Sequence, residues 1–403
     1  MPQRWVVFDK RRPKLVEGVK AQLGFVTWDR TDPTGGNVYN RAIVTELRAL
    51  GIDVRVHGLA GPWPDGDAST HAELSRALRA APACLVDGIV ACGSPDVVVA
   101  AVESGHDVTI LVHLPISDER GLDPSRRDRY AVLEAQAVRA ASGVLCSSPW
   151  SAAELTRRYG RRDLGVAVPG VTPAPVAPGR SAAGRPPRFL TLATLTPTKD
   201  QLTLVRALAQ LVDLSWTAAL VGSDRADPGY AARLRAEVAA AGLEEQIAVP
   251  GALIGKALDQ EWDAADLLVL PSRAETYGLV IVEALARGIP AVVTTGTGAV
   301  EALEQGGTTE SDATPGAAVP AGDPTSLAAV LRSWLAEPTL RHAWRQAALA
   351  RRDTLPGWRQ TAEAVLAYLH RPRKPSSTQV GLPPAPPPTP PPVPPPSAAS
   401  FPS

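Results

Sequence analysis

Two glutamates, Glu275 and Glu283, stand with seven residues between them in the stretch DAADLLVLPSRAETYGLVIVEALARGIPAVVTTGTGA, residues 263–299. A carboxylate accepts hydrogen bonds, so the pair could hold hydroxyl-rich ligands such as a sugar and a ribose. The elements around them say where they sit. Leu267 to Leu270 reads as a short buried strand that Pro271 ends. Ser272 to Tyr277 is a polar loop. Gly278 to Arg287 is apolar on nearly every side, which predicts a buried helix, with Gly288 as its C-terminal cap and Pro290 beyond. Ala291 to Thr294 starts another strand. A strand–loop–helix–strand unit builds parallel α/β sheets, and ligands bind at the carboxyl ends of such strands. Free amides around Gly278 and Leu279 would favour an anion. The plainer alternative makes Glu283 a surface ion-pair partner of Arg287, four residues on, and Glu275 a residue that suits the helix start.

The run PSRAETYGLVIVEALARGIPAVVT resembles the signature of retaining glycosyltransferases of the GT-B fold, the glycogen-synthase-like family 4. That signature is two glutamates with seven residues between them, preceded by Pro-Ser and followed by Ala and Gly-x-Pro. The resemblance is dense here and thinner from about Phe25 to His370. It implies an α/β GT-B fold: two Rossmann-like doubly wound domains facing across a cleft, with a C-terminal helix crossing back to the first. It implies transfer of a sugar from a nucleotide-diphospho-sugar donor to an acceptor hydroxyl, with retention, no metal and no further cofactor. The donor would lie against Tyr277, Gly278, Leu279, Val280 and Glu283, with Glu275 on the sugar.

Four further positions gain meaning from the resemblance. Lys199, in LATLTPTKDQ, falls just ahead of a helix, where a cation opposes the helix dipole unless an anion compensates it. The family has a phosphate-contacting lysine at this position; an exposed loop lysine is the alternative. Many members carry an arginine five residues earlier, where this chain has Thr194, and Arg273 or Arg225 could substitute. Gly35 and Gly36, in DPTGGNVYN, let a backbone approach a ligand or form an ordinary turn, with Asn37 as a helix cap. His113, in LVHLP, ends a strand, either near the transferred sugar or as a structural histidine. Gly222, in LVGSD, would allow close approach by the donor, with Ser223 and Asp224 behind it. Asp65-Gly66-Asp67 looks like a metal-binding Asp-x-Asp but lies in a Pro/Gly loop and reads as a turn. No zinc spacing and no phosphate-loop motif occurs.

The 403 residues suffice for two domains. A net charge of zero gives no reason to expect a nucleic-acid partner. Cys84, Cys92 and Cys146 show no framework and suggest a reducing, cytoplasmic setting. No apolar run is long enough to span a bilayer, so membrane contact would be peripheral. The acceptor, whether small molecule, glycan or lipid, has no motif. The expected organisation is an extension over 1–20, an acceptor domain over 21–171, a linker over 172–188, a donor domain over 189–338, returning helices over 339–371 and a Pro-rich tail over 372–403. Competing readings are a disaccharide phosphorylase, a nucleotide-sugar epimerase on the same architecture, and a non-catalytic nucleotide-sugar-binding module.

Overall fold

A computed structural model describes residues 22–30, 34–119, 121–307 and 313–371. The expected N-terminal extension and Pro-rich tail lie outside the described residues. The first half runs β1 (Gln22–Trp28), α1 (Gly35–Ala49), β2 (Asp53–Leu59), α2 (Ala68–Arg79), β3 (Ala83–Asp87), α3 (Gly88–Ala91), α4 (Pro95–Glu103), β4 (Asp107–Val112), α5 (Pro124–Ala140), β5 (Gly143–Cys146), α6 (Pro149–Tyr159) and β6 (Gly165–Val166). The second runs β7 (Arg188–Leu192), α7 (Gln201–Leu208), β8 (Thr217–Val221), α8 (Pro228–Ala240), β9 (Ile247–Gly251), α9 (Lys256–Ala264), β10 (Leu267–Val269), α10 (Leu279–Leu285), β11 (Ala291–Thr294), α11 (Ala299–Glu304) and β12 (Gly316–Val319). It closes with α12 (Pro324–Ala336), α13 (Pro338–Arg351) and α14 (Trp358–Leu369).

Each half is a six-stranded parallel sheet, ordered β2-β1-β3-β4-β5-β6 and β12-β11-β10-β7-β8-β9. Helices cover both faces, so β5 and β11 are buried throughout their length. Strand order reverses at β1/β3 in the first sheet and at β7/β10 in the second. Those are the places where an open α/β sheet leaves a crevice.

Helix α14 returns to the first domain, as expected. Ala362 and Val365 join the core under β1 and β3. The Tyr368 hydroxyl accepts from Val144 N at 2.8 Å and donates to Asp163 O at 2.9 Å, and its ring lies where a side chain at Gly165 would be. The segment expected as a linker is fastened to the second domain. The Asp266 carboxylate accepts from the main-chain amides of Arg180 and Arg188 at 3.2 and 2.9 Å.

Several local expectations need correction. The apolar run Ala83–Val90 reads by itself as one strand, but β3 stops at Asp87, whose carboxylate accepts from Ile89 N and turns the chain into α3. Helices α4 and α9 fill stretches to which the sequence pattern assigns no element. The stretch Tyr130 to Ala141 reads as a helix from its pattern, and α5 begins six residues before it, with Asp123 as its cap and Pro124 in its first turn. Thr34, not Asn37, caps α1, so Gly35 and Gly36 form its first turn. Ser151 to Glu154 has the spacing of a capping box, but it is Ser148 that caps α6. Asp65-Gly66-Asp67 is a turn: Asp67 caps α2, while Asp65 pairs with Arg126 and, at 3.4 Å, with Arg129.

Candidate active site

The two crevices bring together loops from both halves. After β10 the chain runs through Ser272 to Tyr277 and enters α10 at Gly278, which has φ 89 and no side-chain cap. A positive φ without a Cβ penalty is what glycine supplies here. Gly288 ends the turn beyond α10, with Gly288 N donating to Leu285 O and Ile289 N to Ala284 O, both at 2.9 Å. Ile281, Val282, Ala284 and Leu285 are buried, while Leu279, Val280 and Glu283 stay partly open on a shared face. First-turn amides such as those of Leu279 and Val280 have no partner within a helix.

Glu275 is buried and forms an ion pair with Lys199 Nζ, which comes from the loop between β7 and α7. Ser272 Oγ donates to the same carboxylate at 3.0 Å. Gly298 N donates to Glu275 O at 2.7 Å, and Thr294 Oγ1 to Ser272 O at 2.6 Å. The loop is therefore held from both sides, and the carboxylate carries fixed partners before any ligand arrives.

Glu283 does not serve as the surface partner of Arg287. The guanidinium donates to Glu283 O at 2.9 Å and stacks over Trp262 at 4.5 Å. Burial pushes the Glu283 carboxyl up to about 7, against the opposing pull of Arg287.

His113 lies against the glycine pair. A Cβ added at Gly36 would come 3.1 Å from His113 Cδ2, and one at Gly35 would come 4.0 Å from Leu279 Cβ across the crevice. Thr276, next to Glu275, donates its hydroxyl to His113 O. Thus His113, Gly35, Gly36, Lys199, Glu275 and the start of α10 converge. Tyr277 is buried behind them, its hydroxyl without a hydrogen-bond partner and its ionisation pushed up by burial.

Gly222 has a separate explanation. A Cβ there would collide with the Ala193 carbonyl oxygen at the end of the neighbouring strand, so packing alone requires glycine. The cations suggested in place of the arginine absent at Thr194 are also accounted for. Arg273 is bound through Nε to the buried Asp200 at 2.7 Å and its guanidinium lies against Gly322. Arg225 is exposed beside Ser223. Residues that the sequence reading passed over are Ser272, Thr276, Asn40 and Asp87. A polar Asn at position 40, one turn from Gly36 and Ile43 on the buried face of α1, was the available signal. Among the described residues no group of three His, Cys, Asp or Glu side chains is placed to hold a metal.

Two facing Rossmann-like domains, with a returning C-terminal helix and a Lys–Glu pair at the crevice, define a GT-B glycosyltransferase. The family described as "Glycosyl transferases group 1" matches residues 178–351. The D-inositol 3-phosphate glycosyltransferase of Kineococcus radiotolerans is 31% identical over 309 residues, covering 71% of this chain and 69% of that protein. Its namesake from Nocardiopsis dassonvillei is 29% identical over 363 residues, covering 80% of each. The chain belongs to the group 1 glycosyl transferases and is a transferase enzyme. Among solved structures, sucrose-phosphate synthase from Thermosynechococcus elongatus superposes with a TM-score of 0.71 at 20% identity, covering 86% of this chain and 98% of that one. HepE from Anabaena, in complex with UDP and glucose, gives 0.67 at 21% identity, covering 87% and 99%. At such identities these two structures speak for the fold.

Proposed function

We propose that this enzyme moves a sugar from a nucleoside-diphosphate sugar to an acceptor hydroxyl with retention of configuration and without a metal ion. The observation that carries the reading is the Lys199–Glu275 pair, delivered from the two strands that flank the switch point of the second sheet. UDP, glucose and UDP-glucose in the HepE structures support a nucleotide-sugar donor.

The leaving group is a nucleoside diphosphate whose negative charge grows as the glycosidic bond breaks. Lys199 would stabilise that charge, together with the open amides of Leu279 and Val280. Glu275 would orient the sugar hydroxyls once Lys199 turns to phosphate, with Ser272 keeping the carboxylate in place. Glu283 would take the ribose, and His113 would position the sugar. The acceptor would approach on the face the phosphate leaves, and the departing phosphate oxygen would accept its proton. Closure of the domains would keep water from the oxocarbenium-like centre.

Product analysis tests this. The enzyme is incubated in EDTA with a panel of nucleotide-sugars and acceptors, with inositol phosphates included because the relatives' names point there. NMR of the product gives the anomeric configuration. A product with the donor's configuration, formed in EDTA, is expected. An inverted product, or one formed only with a divalent metal, would overturn the stereochemical or the metal-free part respectively. Release of sugar phosphate from a disaccharide and inorganic phosphate would favour a phosphorylase instead.

A further inference from the structure

Behind His113 lies a chain of hydrogen bonds that the transfer mechanism has not used. His113 Nε2 lies 2.7 Å from Asn40 Oδ1. Asn40 Nδ2 donates to Asp87 Oδ2 at 2.8 Å and to Thr27 Oγ1 at 3.2 Å. Asp87 also accepts from Ile89 N at 3.2 Å. Asn40 and Asp87 are both buried. The carboxylate decides the direction of the whole chain. An amide facing a buried carboxylate must present its NH2 to it, because oxygen against oxygen would be repulsive. Its carbonyl oxygen then faces His113. An amide oxygen only accepts, so His113 Nε2 must carry the proton.

We propose that Asn40, oriented by Asp87, is a positioning residue that holds His113 as the neutral Nε2–H tautomer and leaves Nδ1 as a hydrogen-bond acceptor. The inserted amide matters. A carboxylate touching an imidazole directly favours the imidazolium, whereas an amide between them transmits orientation and keeps the negative charge at a distance. Burial of the ring acts in the same direction, lowering the His113 pKa, with Asp87 opposing it. Among the described residues Tyr39 also packs on the ring, edge-on at 5.1 Å, and its hydroxyl donates to Ala167 O. From the second domain the uncharged Thr276 meets the His113 main chain, with Glu275 beside it held by Lys199. A neutral acceptor suits a sugar hydroxyl and avoids placing a cation beside a centre that turns positive. This consequence for catalysis rests on the transfer reading; the tautomer does not.

The test is nitrogen-15 NMR of the full chain labelled at its six histidines, with His113 assigned by its loss in His113→Gln. The wild type should show His113 protonated at Nε2 alone, and should not gain a second proton near the ordinary histidine pKa of about 6.5. Asn40→Asp should raise the His113 pKa by about one unit or more and shift the pH profile of nucleotide release upward. Asn40→Leu should release the tautomer. An Nδ1–H form in the wild type, an ordinary titration, or an unshifted titration in Asn40→Asp would overturn the proposal. If the variants do not fold, the wild-type spectrum decides alone. Absence of nucleotide release with the tautomer intact would count against the transfer reading only.

Discussion

At the residue scale, the proposed reaction puts much of its weight on a single cation. With Thr194 in place of the family arginine and Arg273 bound to Asp200, Lys199 is the cation placed beside Glu275. Lys199→Ala should therefore lower turnover by about 100-fold or more, the size associated with removing one group that stabilises developing charge. Steady-state kinetics at saturating donor checks this; a loss confined to KM would mean that Lys199 only binds. Glu283 gives a pH prediction. Its folded pKa of about 7 lies above the ordinary 4.5, so the folded state holds a proton that the unfolded chain has lost between those values. This contribution to stability falls as pH rises through that window and is level above it. Ribose hydroxyls donate to the charged form, so nucleoside-diphosphate affinity should rise from about pH 6 to about pH 8. Calorimetry on wild type and Glu283→Gln measures it, with the variant correcting for phosphate ionisation; parallel curves would contradict the ribose role.

At the scale of elements, what was legible depended on whether the pattern was local. The loop and helix from Ser272 to Gly288 were readable because proline, glycine and a dense apolar run mark each boundary. Helix α10 is shorter than its apolar stretch at both ends, with Gly278 outside it as the N-cap and Ala286 closing it as the C-cap after Leu285. Helix α5 was half hidden: its first turns carry Arg126, Arg127 and Arg129, a polar run with no apolar period, and only Asp123 and Pro124 mark the start. Helix α4 hid for the opposite reason, since the unbroken apolar run in PDVVVAAVE shows no helical period and only tertiary packing decides its state. The glycines separate in the same way. Gly222→Ala would place a Cβ on the Ala193 carbonyl and should destabilise the protein by about 2 kcal/mol or more, measured by chemical denaturation. Gly36→Ala, by contrast, meets only the edge of His113 and should impair turnover with little change in stability. Equal stability losses would contradict this division of roles.

At the scale of the molecule, contacts between the halves gather at the site. Ser148 Oγ donates to Thr276 O at 2.6 Å, Trp150 N to Glu301 Oε2 at 3.0 Å, and Thr198 Oγ1 to Glu119 Oε2 at 2.7 Å. Partner choice across a cleft is written in no local pattern, which is why Ser148, Thr276 and Glu301 escaped sequence reading. Ser148→Ala combined with Glu301→Ala should leave each domain folded but loosen their closure, seen as a larger radius of gyration in small-angle scattering; an unchanged radius would show that packing elsewhere holds the halves together. The central claim is that the Lys199–Glu275 pair activates a nucleotide-sugar. Its most direct test is nucleoside-diphosphate release from a panel of nucleotide-sugars in EDTA, by wild type, Lys199→Ala and Glu275→Gln. Release from one donor by the wild type, lost in both variants, is the predicted result. Release that survives in either variant, or a wild type that neither binds nor cleaves any donor, would contradict it.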